Sequence, residues 1–153
     1  MKTEAYRDAM ARLERGEVEE ARRLLEAAWR EAPQSVELMH GLARALDLAG
    51  DRPRALELLE RAHAAAPTEP EPACDLAMLY LEHEQEARAE RVLAPVLLAQ
   101  PDHPRANLCL ALALAKTDPL RARGCAAKAT RDADPQRRQQ AETLQRMLAA
   151  GAP

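Results

Sequence analysis

The chain has 153 residues, 47% hydrophobic and 31% charged, which suits one compact domain or a short repeat array and excludes a disordered or collagen-like chain. Its three aromatics are Tyr6, Trp29 and Tyr80, and Ala, Leu and Arg dominate, a mixture that favours helices over strands. Net charge is −3, and the longest apolar runs, such as Leu108 to Ala115, are far shorter than the roughly 20 residues a membrane-spanning helix needs.

In chain order, Met1 to Leu13 is charged throughout, without the apolar stretch of a secretory signal or a lipid-attachment cysteine, so a cytoplasmic location is expected. Pro33, Pro67, Pro101 and Pro135 then recur every 34 residues. Further columns keep that period: Ala9, Ala43, Ala77 and Ala111; Ala21, Ala55 and Ala89; Leu25, Leu59 and Leu93; Leu42, Leu76 and Leu110; Leu46, Tyr80 and Leu114. Agreement among columns of different residue type establishes the repeat.

One unit is clearest between residues 36 and 69. Leu38, Leu42, Ala45, Leu46 and Ala49 form a helical stripe that stops at Gly50. Asp51 is placed to cap the next helix, Pro53 lies in its first turn, and Ala55, Leu58, Leu59 and Ala62 form its apolar face before Pro67. Each unit is therefore a helix hairpin, and because a lone hairpin cannot bury both faces the units must stack. The repeats fall at about 2–35, 36–69, 70–103 and 104–134. They share a single domain, 1–153, with a last helix at about 135–150 that opens at Asp134-Pro135 and carries Ala141, Leu144 and Leu148. Pro95, inside the second helix of the third unit, removes a backbone hydrogen bond and is expected to kink it.

Chemistry-bearing patterns are few. Cys74, Cys109 and Cys125 cannot all pair, lack C-x-x-C spacing, and read as reduced, mostly buried thiols. His40, His63, His83 and His103 are scattered without a second ligand at helical spacing, so no metal site is expected. No nucleophile–base pair, paired carboxylates or phosphate-cradling loop is present, and no catalytic residue or cofactor is assigned. The pairs Glu19 with Arg23 and Glu26 with Arg30 read as i,i+4 pairs on a wet face. Residues 1–100 carry 13 basic and 20 acidic side chains, and 101–153 carry 9 and 5. An acidic whole argues against general nucleic-acid binding, whereas the asymmetry is suited to steering a partner.

These residues resemble the tetratricopeptide repeat family. Leu42-Ala43, Gly50, Ala55, Leu59, Ala62 and Pro67 fit its pattern throughout, as do Leu76-Ala77, Tyr80, Ala89, Leu93 and Pro101, with Glu84 in place of the turn glycine. The first unit fits at Gly16, Ala21, Leu25, Ala28 and Pro33 but has Asp8 and Arg12 where apolar residues are usual. The fourth keeps Leu110-Ala111, Leu114 and Pro135 but has Arg123 and only small apolar residues in its second helix. The resemblance implies an all-α fold, a right-handed superhelical array of antiparallel helix hairpins, with about four repeats and a C-terminal capping helix.

It also implies that the first helix of each unit lines a concave groove. The positions facing it are Tyr6, Met10 and Leu13; His40, Arg44 and Asp47; Cys74, Met78 and Leu81; and Leu108, Leu112 and Ala115, followed by Lys116. Three of the four sets are apolar, and such a surface needs burial against neighbouring helices or against a partner. In the second case the groove takes an apolar peptide or amphipathic helix of a protein partner, with Met giving adaptable contacts and Arg44, Asp47 and Lys116 fixing orientation. Members that hold a terminal carboxylate use a groove rich in Lys, Arg and Asn; Asn107 is the sole Asn here, which disfavours that role. The expected function is a non-catalytic adaptor or chaperone. The alternative is a self-assembling scaffold subunit with head-to-tail contacts between the acidic front and basic tail, a homo-oligomer.

Overall fold

The computed structural model describes residues 3–151; residues 1, 2, 152 and 153, the ends of the expected domain, lie outside the described residues. Among the described residues the structure is all-α. The chain forms two compact units, Met1–Ala66 and Pro67–Pro153.

The first unit holds α1 (Glu4–Glu14), α2 (Val18–Glu31), α3 (Val36–Leu48) and α4 (Arg52–Ala65). Helices α1 and α2 form one hairpin, α3 and α4 the next, and α3 packs on both α1 and α2. Side-chain caps define the starts: Thr3 Oγ1 accepts from the Tyr6 N–H, Ser35 Oγ from Leu38 and Asp51 Oδ1 from Arg54. The column alanines Ala9, Ala21, Ala43 and Ala55 are fully buried, and Leu25, Leu42, Leu46 and Leu59 fill the space they leave. Asp8 and Arg12, which break the apolar pattern of α1, form an ion pair on its wet side at 3.3 Å, and Arg12 also reaches Glu17. On α2 the pairing differs from the expected Glu19–Arg23 and Glu26–Arg30. Glu19 and Glu26 both converge on Arg22, and Glu26 also takes Arg54 of α4, because one guanidinium fork reaches carboxylates on both sides of it.

The second unit holds α5 (Pro70–Glu82), α6 (Glu86–Ala99), α7 (Pro104–Leu114), α8 (Pro119–Ala129) and α9 (Pro135–Ala150). Hairpins α5–α6 and α7–α8 stack through α7, and α9 packs on α8 and, less extensively, on α7. Helix α6 runs through Pro95 as one helix, and the Arg91 carbonyl that loses its partner belongs to an exposed residue. Asn107 is buried, and its amide donates to the Pro101 and His103 carbonyls at 2.9 Å, which occupies it in closing the α6–α7 turn.

Three hairpin turns close identically. Gly16, Gly50 and Glu84 adopt φ of 79°, 88° and 54°, and the residue after each donates back to the carbonyl five positions earlier, Glu17 to Arg12, Asp51 to Leu46 and Gln85 to Tyr80. The fourth turn is one residue shorter. Asp118 donates to Leu114 only four positions back and caps α8 directly, its Oδ1 accepting from the Arg121 N–H at 3.1 Å. Helices α2, α4 and α6 start at 18, 52 and 86, but α8 starts at 119. The inward column therefore falls on Ala122, Ala126 and Ala129, all buried, and Arg123, which strict periodicity puts in that column, is exposed.

Glu84 thus holds a left-handed conformation that costs a side-chain-bearing residue about 1 kcal/mol. Glu84→Gly is expected to raise stability by about that amount and Gly50→Ala to lower it by about the same. Urea titration checks both, with midpoints moving in opposite directions at unchanged slope.

Candidate functional site

In the first unit the expected groove positions divide by depth. Tyr6 and His40 are buried, Met10 and Leu13 are half-buried, and Arg44 is exposed. The Arg44 Nη1 lies 3.5 Å from the Met10 Sδ, so these two, one repeat apart, are brought together. Asp47 is half-buried with Oδ1 3.4 Å from Arg52 Nε, which directs it to the first turn of α4.

The second unit repeats the division. Cys74 is buried, and its carbonyl lies 4.0 Å from the Cys109 Sγ. A hydrogen bond with Cys109 and burial both push the Cys74 thiol up, which keeps it protonated and unreactive. Cys109 is buried and Cys125 half-buried, and all three cysteines are free thiols. Met78 and Leu112 are 36% and 38% exposed, Leu108 is buried beneath them, Leu81 is half-buried and Lys116 is exposed. Nearby, Arg105 on α7 binds Glu71 at 2.9 Å and Asp75, both on α5. Burial opposes its charge, but those two carboxylates outweigh it and raise its pKa.

Met78, Leu108 and Leu112 open onto a pocket of about 740 Å³ whose other wall is α9. Leu144 and Met147 continue the apolar lining, and Gln136, Gln139, Gln140 and Thr143 supply its polar groups. None of these nine side chains titrates or is a strong nucleophile at neutral pH, so the pocket can hold a ligand by apolar burial and amide hydrogen bonds but has no acid–base or covalent chemistry to offer. Cys74, Leu81 and Lys116 do not line it. The α9 residues are absent from the sequence candidates, since that helix reads as a cap with a narrow stripe. The available signal is the run from Gln139 to Ala141, bare of charge between Arg138 and Glu142, with Met147 one turn after Leu144.

What holds α9 in place is the turn before it. Asp132 is buried, and its carboxylate accepts from Arg137 Nε at 2.8 Å, Arg137 Nη2 at 3.0 Å and the Asp134 N–H at 2.8 Å. Asp134 Oδ1 caps the helix by accepting from the Gln136 N–H at 2.8 Å. The Arg137 fork outweighs the effect of burial and lowers the Asp132 pKa.

A tetratricopeptide repeat family model matches residues 12–59 and 48–113, together most of the chain. The chain belongs to the tetratricopeptide repeat family. No curated protein matches it. Among solved structures it is similar to MamA from Desulfovibrio magneticus RS-1, at 24% identity over 98% of this chain and 96% of that one, TM-score 0.68. It is also similar to TTC0263, a thermophilic TPR protein of Thermus thermophilus, at 21% identity over 92% and 79%, TM-score 0.73. PilF of Pseudomonas aeruginosa aligns at 18% identity over 97% and 75%, TM-score 0.76. At these identities the likeness is one of fold. An O-GlcNAc transferase from Thermobaculum terrenum also matches, at 26% identity and TM-score 0.71, but over only 27% of its chain. Family membership makes the chain a protein-interaction module, and no helix among the described residues is long and apolar enough to cross a membrane.

Because Asp132 is more acidic folded than unfolded, its contribution is complete above the ordinary carboxylate value of about 4 and is lost as pH falls through the lowered folded value. Asp132→Asn is expected to cost about 2 kcal/mol at neutral pH and to flatten the loss of stability below about pH 4. Denaturant midpoints measured from about pH 7 down to about pH 3 check both effects.

Proposed function

We propose that the protein is a cytoplasmic, non-catalytic adaptor or chaperone, and that its second unit binds an apolar peptide or amphipathic helix of a protein partner. The observation that carries this reading is the uncharged pocket floored by Met78, Leu108 and Leu112 and walled by α9. Its Met and Leu side chains adapt to ligand shape, and its Gln and Thr side chains can donate to and accept from a ligand backbone. Met10 and Arg44 occupy the equivalent accessible column in the first unit and are assigned a secondary contact role there. The free thiols Cys74, Cys109 and Cys125 suit a reducing compartment.

The scaffold alternative rests on charge segregation along the sequence, and the folded units support it less well. Met1–Ala66 carries 11 basic and 13 acidic side chains and Pro67–Pro153 carries 11 and 12, so neither unit is strongly charged. Four cations of the basic tail are neutralised inside their own unit: Arg105 by Glu71 and Asp75, Arg121 by Glu90, Lys128 by Asp102, and Arg137 by Asp132 and Asp134.

Leu112→Glu is expected to remove a specific partner from a quantitative pull-down while changing stability by less than about 1 kcal/mol, since an exposed position can keep the new charge in water. Leu98→Glu is the control, because Leu98 is 87% exposed on α6 and lies outside this pocket; it should retain that partner. Loss of the partner with both variants, or with neither, would refute the pocket assignment. By contrast, Leu108→Glu should unfold the unit, because it buries an unpaired charge.

A further inference from the structure

Met147, 66% exposed, also lines a second pocket, of about 480 Å³, beyond α9. This pocket lies where the end of α7, the first turns of α8 and the end of α9 meet, and Ala115, Pro119, Leu120 and Leu148 provide apolar lining. Leu120 is 78% exposed, an unusual setting for a leucine on a helix with so few large apolar residues. Beside it, at the pocket wall, is Arg123.

Arg105, Arg121, Lys128 and Arg137 pair with carboxylates of their own unit. Arg123, like Arg131, Arg138 and Arg146, has no carboxylate within 4 Å among the described residues, and of these four it is the one that lines the pocket. The short fourth turn is the cause, since moving the α8 register by one residue turns this side chain out of the packed column and onto the pocket wall. Asp118, the nearest acidic residue in sequence, is engaged as the α8 cap. Lys116, just before that turn, is exposed and likewise has no carboxylate within 4 Å among the described residues. No acidic side chain lines either pocket. Apolar surface beside unneutralised positive charge is complementary to a segment that carries apolar side chains flanked by carboxylates.

We propose that this second pocket is a charge-selective subsite whose occupant is an acidic amphipathic helix of a protein partner. One apolar side chain of that helix fills the space between Leu120 and Met147, and a carboxylate about one turn away pairs with Arg123. Because Met147 is shared, the same apolar stripe extends into the pocket over Met78 and Leu112. The inference rests on the reading of the second unit as a binder of apolar segments and specifies the charge of what is bound.

The test is fluorescence anisotropy with two labelled helical peptides of about four turns, each with Leu at i, i+3 and i+7, one with Glu and one with Lys at the flanking positions. The full chain, Arg123→Glu and Met78→Glu are titrated with each, folding being confirmed by circular dichroism. The expected result is that the unmodified chain binds the Glu peptide about tenfold tighter than the Lys peptide, with the gap shrinking in salt. Arg123→Glu should remove or reverse that preference, and Met78→Glu should weaken both peptides together. Equal binding of the two peptides, or an unchanged preference in Arg123→Glu, would overturn the subsite. If Met78→Glu still abolished binding in that case, the apolar pocket would stand without it. Binding of neither peptide also overturns the charge selectivity, leaving the pull-down with Leu112→Glu to decide the broader reading.

Discussion

The structure depends on the absence of side-chain bulk at fixed points. Ala9, Ala43, Ala77 and Ala111 on the first helices and Ala21, Ala55 and Ala89 on the second are all without solvent exposure. Alanine at these positions lets helix backbones approach closely with no loss of rotamer freedom and no helix penalty. The larger residues of the neighbouring columns then fill what remains, Leu25, Leu59 and Leu93 in one and Leu42, Leu76 and Leu110 in another. In α8 the economy is extreme, because Ala122, Ala126 and Ala129 form the whole buried face. A face so small is fixed by its cap and its turn as much as by its packing, which is why Asp118 and the Asp132–Arg137 fork bracket that helix.

Much of this was legible in the sequence because it repeats. The period of 34 residues, the hairpin in each unit, the turn at Gly50, the Asp51 cap and the last helix at Asp134-Pro135 each have a local cause written in a few adjacent residues. The fourth hairpin departs from the pattern for an equally definite reason. Column alignment assumes turns of equal length, so one missing residue puts Arg123 where Ala122 belongs, and the small apolar residues of this helix are a complete buried face shifted by one position. The dipeptide Asp118-Pro119, which pairs a cap with a first-turn proline, was the mark of the shift.

The candidate site was partly legible. Helical spacing identifies a face but not a depth. In the first unit Tyr6 and His40 are buried and Met10 and Arg44 reach the surface; in the second Cys74 and Leu108 are buried and Met78 and Leu112 reach it. Depth depends on how closely neighbouring first helices approach, a tertiary quantity that an i, i+4, i+7 count does not contain. The wall formed by α9 was hidden for another reason: glutamines have no signature of their own and acquire meaning only opposite Met78 and Leu112. Charge along the chain is likewise redistributed by folding. Summed in sequence it is acidic over 1–100 and basic over 101–153, and the fold returns Arg105 to Glu71 and Asp75 and Arg121 to Glu90, which lessens the contrast.

That cancellation gives the remaining free charges their significance. A surface arginine with a carboxylate at hand loses side-chain entropy in exchange for a small gain, and its field is largely spent locally. Arg123 has no such neighbour, stands beside exposed Leu120 and Met147, and keeps its field for whatever approaches. The same one-residue shift that completes the alanine face of α8 puts this cation outside it, so packing and recognition in this hairpin have a single origin. A unit that is nearly neutral as a whole can then discriminate between partners by where an unneutralised charge stands, here on the wall of an apolar pocket, because the apolar surface supplies affinity to any suitable segment and the charge decides which segments are suitable.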